Sequence, residues 1–62
     1  MDREYDVFEI LSDGSHVWRD SATGHEKAIR RLRELVEVTD NEFRMMHLPT
    51  GSLIASMKRL KP

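Results

Sequence analysis

Residues 23–36 have the sequence TGHEKAIRRLRELV, and this stretch decides the fold. Thr23 and Glu26 have the spacing of a capping box, a pattern in which two side chains accept hydrogen bonds from backbone amides at the start of a helix. Apolar residues then recur at the spacing of one helical face, at Ala28, Ile29, Leu32, Leu35 and Val36. The stretch therefore predicts an amphipathic helix over about residues 24–38, with one face to bury.

A β-hairpin is predicted on each side of this helix. Strands over about residues 5–11 and 16–20 flank the turn Ser12-Asp13-Gly14-Ser15, and strands over about 42–48 and 52–57 flank Pro49-Thr50-Gly51. The order predicts one α+β domain over residues 1–62, of ββαββ type, with one helix packed on a four-stranded antiparallel sheet. Residues 58–62 are expected to form a basic tail. The order of the strands within the sheet does not follow from the sequence.

Side-chain alternation, combined with a three-residue turn in each hairpin, predicts the two faces of the sheet. The face towards the helix is expected to carry Phe8, Ile10, Trp18, Phe43, Met45, Leu53, Ala55 and Met57. The opposite face is expected to carry Tyr5, Val7, Glu9, Leu11, Val17, Arg19, Arg44, Met46, Leu48, Ile54, Ser56 and Lys58. Half of this second set is apolar, which is more than a fully solvated face needs.

Composition limits the classes of function. The 62 residues include no cysteine, which excludes cysteine-ligated zinc and thiol catalysis and fits a cytoplasmic protein. No apolar stretch approaches the length of a membrane span, so we expect no membrane partner. A core of this size supplies only about 3–5 kcal/mol of net stability without a disulfide or metal. Self-association is therefore expected more than for a larger domain.

The apolar part of the second sheet face is the leading candidate site. Val7, Val17, Met46 and Ile54 are predicted to form a patch on that face, rimmed by Arg19, Arg44 and Glu9. Patches of this kind often mark a protein partner or a homodimer interface. The alternative is that β-propensity alone places Val and Ile on an exposed strand. We therefore expect a non-enzymatic domain that self-associates, or docks on a protein, through the outer sheet face or a sheet edge.

The basic residues of the helix and the tail suggest a second function. Clustered Lys and Arg give sequence-independent affinity for nucleic acid. The candidates are Lys27, Arg30, Arg31, Arg33, Lys58, Arg59 and Lys61. Glutamates interleave with them, and the chain has 10 basic and 11 acidic residues, a net charge of −1. Weak nucleic-acid binding by an accessory protein is therefore the alternative.

Metal binding and catalysis have little support in the sequence. His16, His25 and His47 are not spaced as metal ligands, and they are predicted to lie on different elements. The serines of the two turns have a sufficient local explanation in turn chemistry. We expect no metal, no cofactor and no enzymatic activity.

The hairpin–helix–hairpin order carries a family resemblance. The residues on which the resemblance rests are Tyr5-Asp6-Val7-Phe8, Asp13-Gly14-Ser15, Trp18 and Thr50-Gly51. In this plan the chain resembles short uncharacterised bacterial proteins of ββαββ type, such as the small DUF2188- and DUF1508-like domains. The resemblance implies the fold and a bacterial origin. Those families have no established active site, so it implies no site residue.

Overall fold

The computed structural model describes residues 3–59 and has the predicted order of elements. These are β1 (Tyr5–Ile10), β2 (His16–Ala22), α1 (His25–Val36), β3 (Glu42–His47) and β4 (Ser52–Met57). The four strands form one antiparallel sheet in the order β2-β1-β3-β4. The predicted α+β, ββαββ fold class is confirmed. The helix is shorter than predicted, β2 is two residues longer, and residues 60–62 of the predicted tail lie outside the described residues.

β1 joins the two hairpins, because it pairs with β2 on one side and with β3 on the other. In the β1–β3 pairing, Val7 lies opposite Met45 and Glu9 lies opposite Phe43. Residues that are directly opposite in an antiparallel pair project from the same face of the sheet. The pairing therefore fixes which side chains of the first hairpin share a face with which side chains of the second.

The core lies between α1 and one face of the sheet. α1 contributes Ala28, Leu32 and Val36, which are spaced four residues apart and line one side of the helix. The sheet contributes Tyr5, Val7, Phe43 and Met45, and the side chains of Val7 and Met45 have no exposed surface. Partly buried residues complete the layer: Ala22, Ile29, Leu35, Ala55 and Met57. The predicted apolar face of the helix is confirmed.

The face of the first hairpin that points towards α1 is the opposite of the one predicted. The predicted pairs Phe8–Trp18 and Ile10–His16 are present, so the register is confirmed from the turn to Phe8, beyond which a bulge at Arg19 shifts it by one residue. The predicted side is wrong: Val7 is in the core, and Phe8 therefore projects away from α1. The reason is the β1–β3 pairing, which places Val7 and not Phe8 opposite the buried Met45.

In the second hairpin, Phe43, Met45, Ala55 and Met57 face the helix as predicted. Leu53 does not, because it lies opposite Met46 rather than His47. The turn has four residues, 48–51, in place of the predicted three, and the amide of Gly51 donates to the His47 carbonyl at 2.8 Å. A β-bulge at Ile54 then restores the predicted pairing of Met45 with Ala55.

Both ends of the helix are tied to other parts of the chain. The predicted cap at Thr23 is wrong: the N-cap is Gly24, one residue later, whose backbone has φ 92° and which has no side chain to cap the helix. The Gly24 amide donates to Glu4 Oε1 at 3.0 Å. Beyond the other end, Arg59 forms an ion pair with Asp40, and its Nη1 lies 3.4 Å from the Glu37 carbonyl oxygen. The part of the predicted tail at Arg59 is therefore attached to the domain.

The adjacent methionines of β3 test the two faces of the sheet. We expect Met45→Ala to lower the free energy of unfolding by about 2–5 kcal/mol, since it leaves a cavity in the core. Met46→Ala serves as the matched control and should cost much less, because Met46 is only half-buried on the opposite face. Urea denaturation followed by circular dichroism measures both. Equal losses for the two variants would contradict the assignment.

If Met45→Ala unfolds the domain altogether, Met45→Leu is a milder variant whose free energy of unfolding can still be measured. This swap nearly conserves volume and should cost less than about 1.5 kcal/mol.

Candidate interaction surface

The side of the sheet that faces away from α1, here called the outer face, carries exposed or half-buried apolar side chains on all four strands. Trp18 on β2 is 48% exposed and Leu53 on β4 is 53% exposed. Phe8 and Ile10 on β1 and Met46 on β3 are half-buried. These five residues form the outer patch. Within residues 3–59, α1 is the only helix and it packs on the opposite side, so no described element covers the patch.

A shallow groove crosses the outer patch. Its volume is about 420 Å³, and it is open to solvent. The groove is lined by Phe8, Ile10, His16, Arg44, Met46 and Leu53. Trp18 stands beside it, because Trp18 is the β2 partner of Phe8. The outer face therefore offers a depression and an exposed aromatic side chain next to each other.

Two ion pairs of opposite sign lie on the outer face, and Lys58 is a further cation that acts on Glu42. Arg44 Nε donates to Glu42 Oε2 at 3.1 Å, and the Ser56 hydroxyl donates to the same oxygen. The hydrogen bonds from Ser56 and Arg44 hold the pKa of Glu42 below its ordinary value. Asp6 lies on the same face and is buried. Arg3 Nη1 is 3.8 Å from Asp6 Oδ1. Within the described chain, no donor forms a hydrogen bond with this Oδ1. The face thus combines an apolar centre with no marked excess of one charge.

The predicted interface residues are divided between the two sides of the sheet. Arg44 and Met46 lie on the outer face as predicted, opposite Phe8 and Asp6 of β1. Val7 was wrongly placed there, since it is fully buried under α1.

The other members of the predicted interface also change position. Val17 lies opposite Glu9, on the helix side of the sheet, because the first hairpin is turned over. Arg19 is the extra residue of a β-bulge in β2, and its guanidinium reaches Glu9 on that same side. Ile54 is the extra residue of the bulge in β4 and has no partner in β3. It is 43% exposed, but the bulge breaks the alternation from which its face was predicted.

Sequence reasoning missed Phe8, Ile10, Trp18 and Leu53 as surface residues and placed them in the core. Both alternating sets of strand residues are rich in apolar side chains. This pattern predicted that the sheet has a second apolar face, but it did not show which of the two sets lies on the helix side. For Leu53 the missing information was the length of the turn.

Arg19 has a structural role in a buried polar cluster. Its Nε donates to Glu9 Oε1 at 2.7 Å, and Asn41 Nδ2 donates to Glu9 Oε2 at 2.7 Å. Glu9 is only 6% exposed, yet both of its oxygens have donors, which is what a buried carboxylate requires. The bonds from Asn41 and Arg19 hold the pKa of Glu9 below its ordinary value, so it is ionised at neutral pH. The cluster connects β1, β2 and the segment before β3.

The basic residues do not form one surface in the described chain. Arg31 pairs with Asp20 and lies 3.1 Å from Glu34, and Arg59 pairs with Asp40. The remaining helix cations separate into two grooves: Lys27 lines one beside β2, while Arg30 and Arg33 line another together with Glu26, Glu34 and Glu37. Lys61 lies outside the described residues. The charge needed for nucleic-acid binding is therefore dispersed and partly neutralised.

The histidines also lie apart. His47 and His25 flank the Tyr5 ring, with ring centroids 5.0 and 6.1 Å away, while His16 lines the outer groove. His47 Nδ1 is 2.9 Å from Thr50 Oγ1, a contact within the β3–β4 turn. No group of three potential ligands in residues 3–59 is placed to hold a metal ion.

Comparisons of the chain with protein-family models, curated proteins and solved structures each returned no match. The resemblance to DUF2188- and DUF1508-like domains therefore stays a prediction. In the described part of the chain, no helix has both the length and the apolar character needed to cross a membrane.

The Glu9 cluster predicts how stability depends on pH. The pKa of Glu9 in the folded state is below its ordinary value of 4.5. Its ionised form therefore stabilises the fold above about pH 4.5, and this stabilisation is lost as the pH falls through the folded-state pKa. Glu9→Gln should lower the free energy of unfolding at pH 7, and the difference from the unaltered protein should shrink on acidification.

Urea denaturation at a series of pH values from 7 to 3 measures this difference. Glu37→Gln, which removes one exposed carboxylate, is the control for the change in net charge. A difference between Glu9→Gln and the unaltered protein that stays constant over the series would show that the Glu9 charge does not stabilise the fold.

Proposed function

We propose that this protein is a non-enzymatic interaction domain that binds another protein surface through the outer patch. The observation that carries the proposal is the gathering of Phe8, Ile10, Trp18, Met46 and Leu53 on a face that no described element covers. Contiguous exposed apolar patches mark interaction sites in soluble domains. Aromatic residues, Met and Arg are also the residue types that are enriched in protein interfaces.

The face of the sheet is better suited to binding than its edges. Each edge strand carries a β-bulge, at Arg19 in β2 and at Ile54 in β4. A bulge interrupts the hydrogen-bonding ladder and twists the strand, which hinders the addition of a further strand. Of the two predicted routes to a partner, the outer face is therefore the one that we propose.

Weak nucleic-acid binding is the second candidate. One observation favours it: Phe8 and Trp18 share an exposed face, and aromatic side chains on a sheet can stack on unpaired bases. Such binding also depends on cations that contact phosphates. Arg44 on this face is paired with Glu42, and Arg31 on the helix is paired with Asp20. The charge distribution thus supports a protein partner over a nucleic acid.

We further propose that the protein works in the bacterial cytoplasm. The absence of cysteine is compatible with a reducing compartment, and the resemblance to small bacterial ββαββ domains supports the origin.

An apolar fluorescent dye tests whether the outer patch can bind an apolar surface. Dilute protein should enhance the dye fluorescence, and Leu53→Lys should reduce this signal several-fold, because it places a charge on the patch. Val38→Lys is the matched control, since Val38 is 75% exposed but lies in the α1–β3 connection. Circular dichroism establishes that both variants are folded. If the two variants bind the dye equally, or if the unaltered protein does not bind it, the proposal is wrong.

A further inference from the structure

We infer that the outer patch binds a second copy of this chain, in a two-fold pair in which Trp18 of each copy enters the groove of the other. This inference rests on the proposed function, that the outer patch binds a protein surface, and it names the partner. It is carried by the dimensions of the face, by the groove next to an exposed indole, and by the charge of the face.

The dimensions of the domain are compatible with a face-to-face pair of ordinary size. The domain measures 37 × 23 × 16 Å, and its shortest dimension suits two stacked layers, one sheet and one helix. The two longer dimensions bound a rectangle of about 850 Å², within which the outer face lies. A standard-size protein interface buries about 800 Å² on each partner. Stacking two copies face to face would therefore use most of the outer face and give an interface of ordinary size.

The outer face carries both halves of a reciprocal contact, a groove and an exposed indole. In a two-fold interface, residue i of one copy contacts residue j of the other, and the reverse contact is made at the same time. Each copy has one groove of about 420 Å³ and one half-exposed Trp18 beside it. Exchange of the two indoles places one in each groove and uses both Trp18–groove contacts, so the assembly closes as a pair.

The groove has suitable chemistry for an indole. Its walls include Phe8 and Met46, which offer an aromatic ring and a polarisable thioether. Arg44 also lines it, and the hydrogen bond to Glu42 at 3.1 Å limits the directions that its guanidinium can take. A guanidinium next to an indole face makes a favourable cation–π contact. Arg44 is therefore placed to contact the Trp18 of the partner.

The electrostatics of the face allow two identical copies to meet. A face with a large net charge would repel its own copy. Here Glu42 is paired with Arg44 and also attracted by Lys58, and Arg3 lies 3.8 Å from Asp6. The charges on the described outer face thus offer little repulsion between copies, while they do not supply the positive field that a nucleic acid needs.

The mass of the full chain in solution tests the inference. Sedimentation equilibrium should give the 7.3 kDa monomer at low concentration and twice that mass at high concentration. Trp18 is the only tryptophan, so its emission reports directly on the proposed contact. The emission maximum should shift to shorter wavelength over the same concentration range in which the mass doubles.

The Trp18→Ala variant should remain monomeric at concentrations at least tenfold above the midpoint of the monomer–dimer transition of the unaltered protein. Trp18→Phe should recover part of the association, since it keeps an aromatic side chain for the groove. Val38→Ala removes an exposed apolar side chain outside the sheet and should leave the midpoint unchanged. Circular dichroism on dilute samples verifies that each variant is folded.

The outcomes separate the inference from the proposed function. If the chain stays monomeric but its patch binds the apolar dye, the second copy is not the partner and the proposed function survives. If it stays monomeric and binds no dye, both are wrong. A dimer that Trp18→Ala leaves intact would mean that another surface pairs, which overturns the inference. Salt-sensitive quenching of Trp18 by a single-stranded oligonucleotide, in a protein that remains monomeric, would overturn it in favour of nucleic acid.

Discussion

The pairing of β1 with β3 is the constraint from which the two sides of the sheet follow. It sets Val7 against Met45, and both side chains are fully buried beneath α1. Because strand residues alternate, Phe8 must then project to the outer face, and Trp18 follows as its partner in β2. The core and the candidate binding surface are thus two consequences of one register.

The same register places a carboxylate in the core layer. Glu9 lies opposite Phe43, on the side covered by α1, and it would be strongly destabilising there without partners. The bulge at Arg19 and the position of Asn41 supply a donor to each carboxylate oxygen. The fold therefore keeps Glu9 on the covered side of the sheet, while Phe8 and Trp18 lie on the outer face.

Much of the architecture could be predicted from local signals. The spacing of Leu32 and Val36 indicated the helix, and Gly14 and Gly51 marked the turns. The side of the first hairpin could not be predicted, because Val7 and Phe8 belong to alternating sets of similar apolar character. Only a contact between distant strands distinguishes these sets. The existence of a second apolar face was therefore predictable, whereas four of its five members were not.

Nuclear Overhauser contacts of the Trp18 indole test the central claim, which is that Trp18 and Phe8 face away from the helix. The account predicts cross-peaks from the methyl groups of Val7 to the side chain of Leu32, and none from the indole of Trp18 to any side chain of α1. Cross-peaks between Trp18 and Leu32 would place the aromatic residues in the core and contradict the account.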